Sequence, residues 1–199
     1  GLGDVYKRQE DALRFDAENG LAVLADGMGG LMAGSEASKV AVERIYDHLE
    51  QSSAAITDDL NAAIESAHEA ISQISAAKEM ASKMGSTVVI WLQSGDAWRA
   101  AWVGDSRLYR WRGRRLQQMS KDHSLAQRML DSGEAEPGVD IEAHYGHVLT
   151  QGLGLRQPLD PGFCSGECKA SDQRFLLCSD GLSDICLLYT SPSPRDSDQ

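Results

Sequence analysis

Leu21-Ala22-Val23-Leu24-Ala25-Asp26-Gly27-Met28-Gly29-Gly30 is an apolar run that ends in an acid and a burst of glycines. Bounded by Gly20 and Asp26, the run predicts a buried strand, and the glycines after it permit a tight turn into the next element. The acid therefore stands at a strand end, where a scaffold holds a carboxylate rigidly and leaves its oxygens free. An ordinary Asp-Gly turn explains this stretch equally well. The remaining acids must decide between structure and chemistry.

Working outward, Glu10-Asp11-Ala12-Leu13-Arg14-Phe15 approaches as a first strand, and Asp16-Ala17-Glu18-Asn19-Gly20 turns it back as a hairpin. Glu10 and Asp11 are then expected beside Asp26. Downstream, Ala37, Val40, Ala41, Ile45 and Leu49 recur at helical spacing over 35–49, with Ser35 placed to cap. Leu60, Ile64, Ala67, Ile71 and Ile74 mark one face of a second helix over 57–84, and Asp58 and Asp59 favour its N-terminal dipole. Further strands are predicted over 86–93, 98–103, 107–112, 116–119 and 174–179, with a short helix over 124–130 and a loop over 131–146. Helices grouped apart from strand runs indicate α+β layers in which helices cover antiparallel sheets.

A chain of 199 residues, 42% hydrophobic and 25% charged, suits one globular domain with a sizeable core. The net charge of -11 opposes non-specific nucleic-acid binding, which needs a basic face to displace counterions. No apolar stretch approaches the roughly 20 residues that cross a bilayer, and no signal peptide is visible, so no membrane partner is expected. Cys164, Cys168, Cys178 and Cys186 lack the paired spacing of a zinc site, and a reducing, cytoplasmic setting fits them. A monomer is expected.

Carboxylates stand at four predicted strand ends: Glu10 with Asp11, Asp26, Asp105, and Asp180 with Asp184. Any one of them is most simply a turn residue. Gathered at one end of a sheet they would repel one another unless cations shared them, and oxygen-only ligation selects hard divalent ions such as Mg²⁺ or Mn²⁺. The glycine run fails as a nucleotide loop, because Met32 breaks the G-x-G-x-x-G spacing and no Gly-Lys-Ser/Thr follows. The acids are too far apart in sequence for an EF-hand.

Seven ordered stretches carry a family resemblance: Glu10-Asp11, Ala25-Asp26-Gly27-Met28-Gly29-Gly30, Gly85-Ser86-Thr87, Gly104-Asp105-Ser106-Arg107-Leu108-Tyr109, Asp122-His123-Ser124, Leu149-Thr150-Gln151-Gly152-Leu153-Gly154, and Ser179-Asp180-Gly181-Leu182-Ser183-Asp184. Over 10–185 the sequence resembles a bacterial member of the metal-dependent Ser/Thr protein phosphatase family, the protein phosphatase 2C-like group. The resemblance implies a four-layer α-β-β-α sandwich, two antiparallel sheets flanked by helices. It implies Asp26 bridging two Mn²⁺ or Mg²⁺ ions, the Gly27 carbonyl on the first, and Glu10 and Asp180 on the second. Asp105, Asp180 and Asp184 match a third ion site, and Asp11 would orient the attacking water. The implied substrates are phosphorylated proteins, a cognate Ser/Thr kinase among them. A catalytically silent phosphatase-like domain that binds a phosphoprotein or a regulator is the alternative.

The sequence departs from the family pattern in three places. Tyr6 stands where a phosphate-binding arginine is usual, and Met28 stands where some relatives place a general-acid histidine. Metal-bound water or solvent is then the expected proton donor to the leaving oxygen. The family's last metal-binding Asp is missing, and two prolines in 186–199 forbid the helix expected there. The chain therefore reads as C-terminally cut short: 1–9 and 186–199 as foreign sequence around an incomplete catalytic domain at 10–185, with Asp196 and Asp198 not substituting for the lost ligand. His123, His144 and His147 are expected to cap, pack or face solvent. Trp91, Trp98, Trp102 and Trp111 are expected to pack in strands, and Arg107, Arg110, Arg112, Arg114 and Arg115 to form a solvated face. The 131–146 loop is the candidate contributor to substrate choice.

Overall fold

The computed structural model describes residues 10–51, 56–78, 84–134, 139–155, 158–168 and 173–182. β1 (Asp11–Asp16) and β2 (Leu21–Met28) form the expected hairpin, with Asp11 directly opposite Asp26. Its turn is organised by Asp16, whose carboxylate accepts from the Glu18 and Asn19 amides at 3.0 Å and from the Tyr46 hydroxyl at 2.6 Å. α1 (Leu31–Gln51) and α2 (Ile56–Ala77) follow. α1 starts four residues before Ser35, directly after Gly29 and Gly30, whose φ of 113° and 90° turn the chain out of β2. Ser35 is thus inside the helix and is not its cap. α2 ends at Ala77, short of the expected 84, and the buried Met84 instead leads into β3 (Gly85–Ser86).

β4 (Val88–Ser94), β5 (Ala97–Val103) and β8 (Gly162–Glu167) complete one antiparallel sheet in the order β1-β2-β4-β5-β8, with β3 also on β2. β6 (Arg107–Arg112), β7 (Arg115–Gln118) and β9 (Gln173–Cys178) make a second antiparallel sheet in the order β7-β6-β9. Successive residues of a strand face opposite ways, and here both faces of the larger sheet are covered. Val23, Val88, Ile90 and Val103 pack with Ile45, Leu60 and Ile64 of the helices. Val89, Trp98 and Trp102 pack with Leu108, Phe175 and Leu177 of the second sheet. That double burial is why β2 reads as a continuous apolar run. The outer face of the smaller sheet carries Trp111, Leu116 and Leu176, exposed by 53%, 59% and 43%. The described residues thus build three of the four expected layers.

Two elements lie where none was predicted. β8 lacks a strand signature because it lies against tryptophans: Gly162 pairs with Trp102 and Gly166 with Trp98. A Cβ at Gly162 would fall 2.2 Å from the Trp102 ring, and one at Gly166 2.8 Å from the Trp98 ring. α4 (Ile141–Tyr145) interrupts the expected 131–146 loop, because the Asp140 carboxylate caps the Ala143 amide at 3.1 Å and Ile141 is buried. α3 (Leu125–Ser132) is capped by Ser124, as the 124–130 helix required.

The Trp102 ring cannot swing aside, since its Nε1 donates to the Lys121 carbonyl at 2.7 Å. Gly162→Ala is therefore expected to cost about 1–3 kcal/mol. The check is urea unfolding of the two proteins side by side. A change under about 0.5 kcal/mol would contradict the close contact.

Candidate metal centre

The β1–β2 hairpin brings three acids to one end of the large sheet. Asp11 and Asp26 are register partners, and the Gly27 amide donates to the Glu10 carbonyl at 3.1 Å. Glu10 is held from the helix side as well, its carbonyl accepting from the Ser38 hydroxyl at 2.5 Å. Asp105 lies in the turn between β5 and β6, and Asp180 follows β9. Arg107 of β6 pairs with Cys178 of β9, so those two acids sit at the same end of the smaller sheet. The Ser179 hydroxyl then donates to Asp11 Oδ2 at 3.0 Å, joining the two sheets where the acids meet. Glu10, Asp11, Asp26, Asp105 and Asp180 together line a cleft of about 740 Å³. Asp184 lies outside the described residues.

Crowding the acids has an electrostatic consequence. Burial, and then the charges of Asp11 and Asp180, push the Asp26 carboxyl up to about 8. Burial, with Asp180 and Asp122, pushes Asp105 up to about 6 against the opposing pull of Arg107. Like charges in a partly dry cleft are the condition a divalent cation relieves.

The donor set fits such an ion. It is made of hard oxygens, as Mg²⁺ and Mn²⁺ prefer. Gly27 and Gly34 meet back to back, and a methyl on Gly34 would stand 2.8 Å from the Gly27 carbonyl oxygen and 2.9 Å from Glu10 Oε2. Two of the expected ligand oxygens thus border one small space that side-chain-free glycines keep open. Among the described residues no three acids close on one point unaided. Such ions keep several waters, so protein oxygens need not complete the coordination alone.

The remaining candidates separate clearly. Met28 and His147 line the cleft. The His144 ring is committed to the Asp140 carbonyl at 2.7 Å, and His123 Nδ1 accepts from the Gly104 amide at 3.2 Å, with burial pushing its pKa down. Arg107 is a correction to the solvated face. It is 7% exposed and donates twice to Asp122 Oδ2, at 2.8 and 2.6 Å, with a longer contact of 3.4 Å to Glu142 of α4. Its neighbours Arg112, Arg114 and Arg115 are exposed as expected. Sequence reasoning assigned no role to Thr87 or Ser179, although both line the cleft and both lie in motifs it had marked.

With this geometry in place, the comparisons with known proteins are specific. A family profile described as Protein phosphatase 2C matches residues 6–196. The chain belongs to that family. It is 32% identical over 184 residues to the serine/threonine protein phosphatase PstP of Mycobacterium tuberculosis, across 92% of this chain and 35% of the relative. It is 30% identical over 170 residues to the serine/threonine phosphatase stp of Listeria monocytogenes, across 83% of this chain and 67% of the relative. It superposes on the crystal structure of the catalytic domain of PstP in complex with two manganese ions with a TM-score of 0.75 and 32% identity, over 88% of this chain and 73% of that one. The chain thus spans about a third of the length of PstP.

The raised Asp26 carboxyl sets a direction for metal binding. Below about 8 it holds a proton in the metal-free protein, and an incoming cation must displace it. Mn²⁺ affinity is expected to rise with pH, by at most about tenfold per unit for one displaced proton, and to level off above that value. Calorimetric titration in buffers of different ionisation enthalpy would report the released proton. A pH-independent affinity would refute the coupling.

Proposed function

We propose that this chain is a metal-dependent protein serine/threonine phosphatase. The observation that carries the proposal is the cleft itself: five acids from four chain segments, gathered at one end of two sheets around Asp26. Asp26, the Gly27 carbonyl, Glu10 and Asp180 would together hold two divalent ions. Asp105 and Asp180, together with Asp184, would serve a third. Mn²⁺ is favoured by the manganese in the PstP structure, and Mg²⁺ suits the same oxygens. When bound, such ions supply Lewis acidity, lowering the pKa of water and offsetting charge on phosphoryl oxygens.

The chain's own residues do the rest. Asp11, held by the Ser179 hydroxyl, orients the water that attacks phosphorus and accepts its proton. Phosphoproteins are the proposed substrates, with a partner kinase among them, in keeping with the protein phosphatases it resembles. Free thiols at Cys164, Cys168 and Cys178 support a reducing, cytoplasmic setting, and the net charge of -11 favours a soluble monomer.

The direct test is phosphate release from p-nitrophenyl phosphate with Mn²⁺, with chelator, and with Asp26→Ala. Release is expected only with metal. The substitution should lower it by more than the roughly 10- to 100-fold that loss of an outer partner costs. Mn²⁺ binding without any turnover would replace the enzyme with a phosphoprotein-binding domain.

A further inference from the structure

Thr87 lies between the two acid-bearing turns and touches both. Its Oγ1 accepts from the Asp26 amide at 3.1 Å, and its own amide donates to the Asp26 carbonyl at 2.8 Å. The same hydroxyl is 2.7 Å from the Ser106 hydroxyl, one residue beyond Asp105. Ser86 adds a bond of 2.9 Å to the Asp26 carbonyl. Thr87 and Ser106 are 3% and 1% exposed, so water offers these groups no substitute partner. The methyl branch of Thr87 has its own place. Gly104 has a left-handed φ of 103°, and a Cβ there would stand 2.7 Å from Thr87 Cγ2. Only glycine lets that turn seat on the methyl.

We propose that the Thr87–Ser106 hydroxyl pair is a positioning device that holds Asp26 and Asp105 in one ion-binding cluster. This rests on the metal-dependent function proposed above. Asp26 comes from the helix-backed sheet and Asp105 from the turn leading to the other sheet, and the charge of Asp180 repels both. Without a tie between the turns, that repulsion widens the cleft until neither acid can serve a shared set of cations. The hydroxyl bridge is such a tie, short, buried and bonded to the Asp26 amide at its Thr87 end. Thr87 is a positioning residue, acting through Asp26 and Ser106.

Two branches with separate duties give separable variants. Thr87→Val keeps the methyl seat and removes the hydroxyl, whereas Thr87→Ser keeps the hydroxyl and removes the methyl. Mn²⁺ titration by calorimetry, with circular dichroism confirming the fold, is expected to show affinity lowered about tenfold or more in Thr87→Val, as for loss of an outer partner of a ligand. Thr87→Ser should stay within about threefold of the parent, and Ser106→Ala, which leaves the Asp26 amide its acceptor, should also weaken binding. If Thr87→Val fails to fold, Ser106→Ala decides. Folded variants that bind Mn²⁺ as tightly as the parent, while Asp26→Ala does not bind, would overturn the positioning role alone. A parent protein that binds no Mn²⁺ would overturn the metal-dependent function and the positioning role with it.

Discussion

Asp11, Asp26, Asp105 and Asp180 would repel one another if all were ionised in their partly dry cleft, and the surrounding structure keeps them there. Burial and mutual charge drive Asp26 and Asp105 well above ordinary carboxylates. A fold seeking stability alone would turn these acids outward, where water solvates them at no cost. Three of them are visibly held: Asp26 by its strand register and Thr87, Asp105 by a turn that His123 and Thr87 hold, and Asp11 by its strand register and the Ser179 hydroxyl. The destabilised resting state is what gives a cation reason to bind.

Much of this was legible because the determinants are local. The apolar run into Asp26, the Asn19-Gly20 turn and the helical repeat over Ala37 to Leu49 each depend on neighbours a few residues away. The acids were legible as a group because Asp26, Asp105 and Asp180 each stand beside a glycine next to an apolar run, with Glu10 and Asp11 at the mouth of the same hairpin. What stayed hidden depends on partners distant in sequence. β8 needs glycines where it crosses Trp98 and Trp102, so its strand character was erased by the tryptophans it packs on. Arg107 looked like one of a solvated series, and only the fold shows Asp122 beneath it. Thr87 carries no periodic signal at all, since its role is to touch two turns that are far apart in the chain.

The same logic explains why Gly27 and Gly34 contribute by what they lack. A Cβ on Gly27 would lie 1.9 Å from the Gly34 carbonyl oxygen, so the first turns of α1 would be driven off the end of β2. Helix α1 would then no longer reach Glu10, whose carbonyl it holds through Ser38. Two absent side chains thus set how near a helix comes to the acids.

One wall of the cleft differs from the others. The segment carrying His147 and Leu149 follows α4, a helix of five residues. The ion pair tying α4 to Arg107 is its 3.4 Å contact with Glu142, whose side chain is 53% exposed. An exposed pair at that distance is worth little, whereas Arg107 and Asp122 beneath it are 8% exposed and in close contact. Leu149 itself is anchored by its bridge to Ser124, and the Val148 carbonyl accepts from the Leu125 amide at 2.7 Å, so the weak tie is that of α4 alone. Amide hydrogens of α4 should exchange through local opening while those of β2 and β5 wait for global unfolding. Any occupant entering past α4 would meet the loosest part of the wall above a floor of acids that strand register holds.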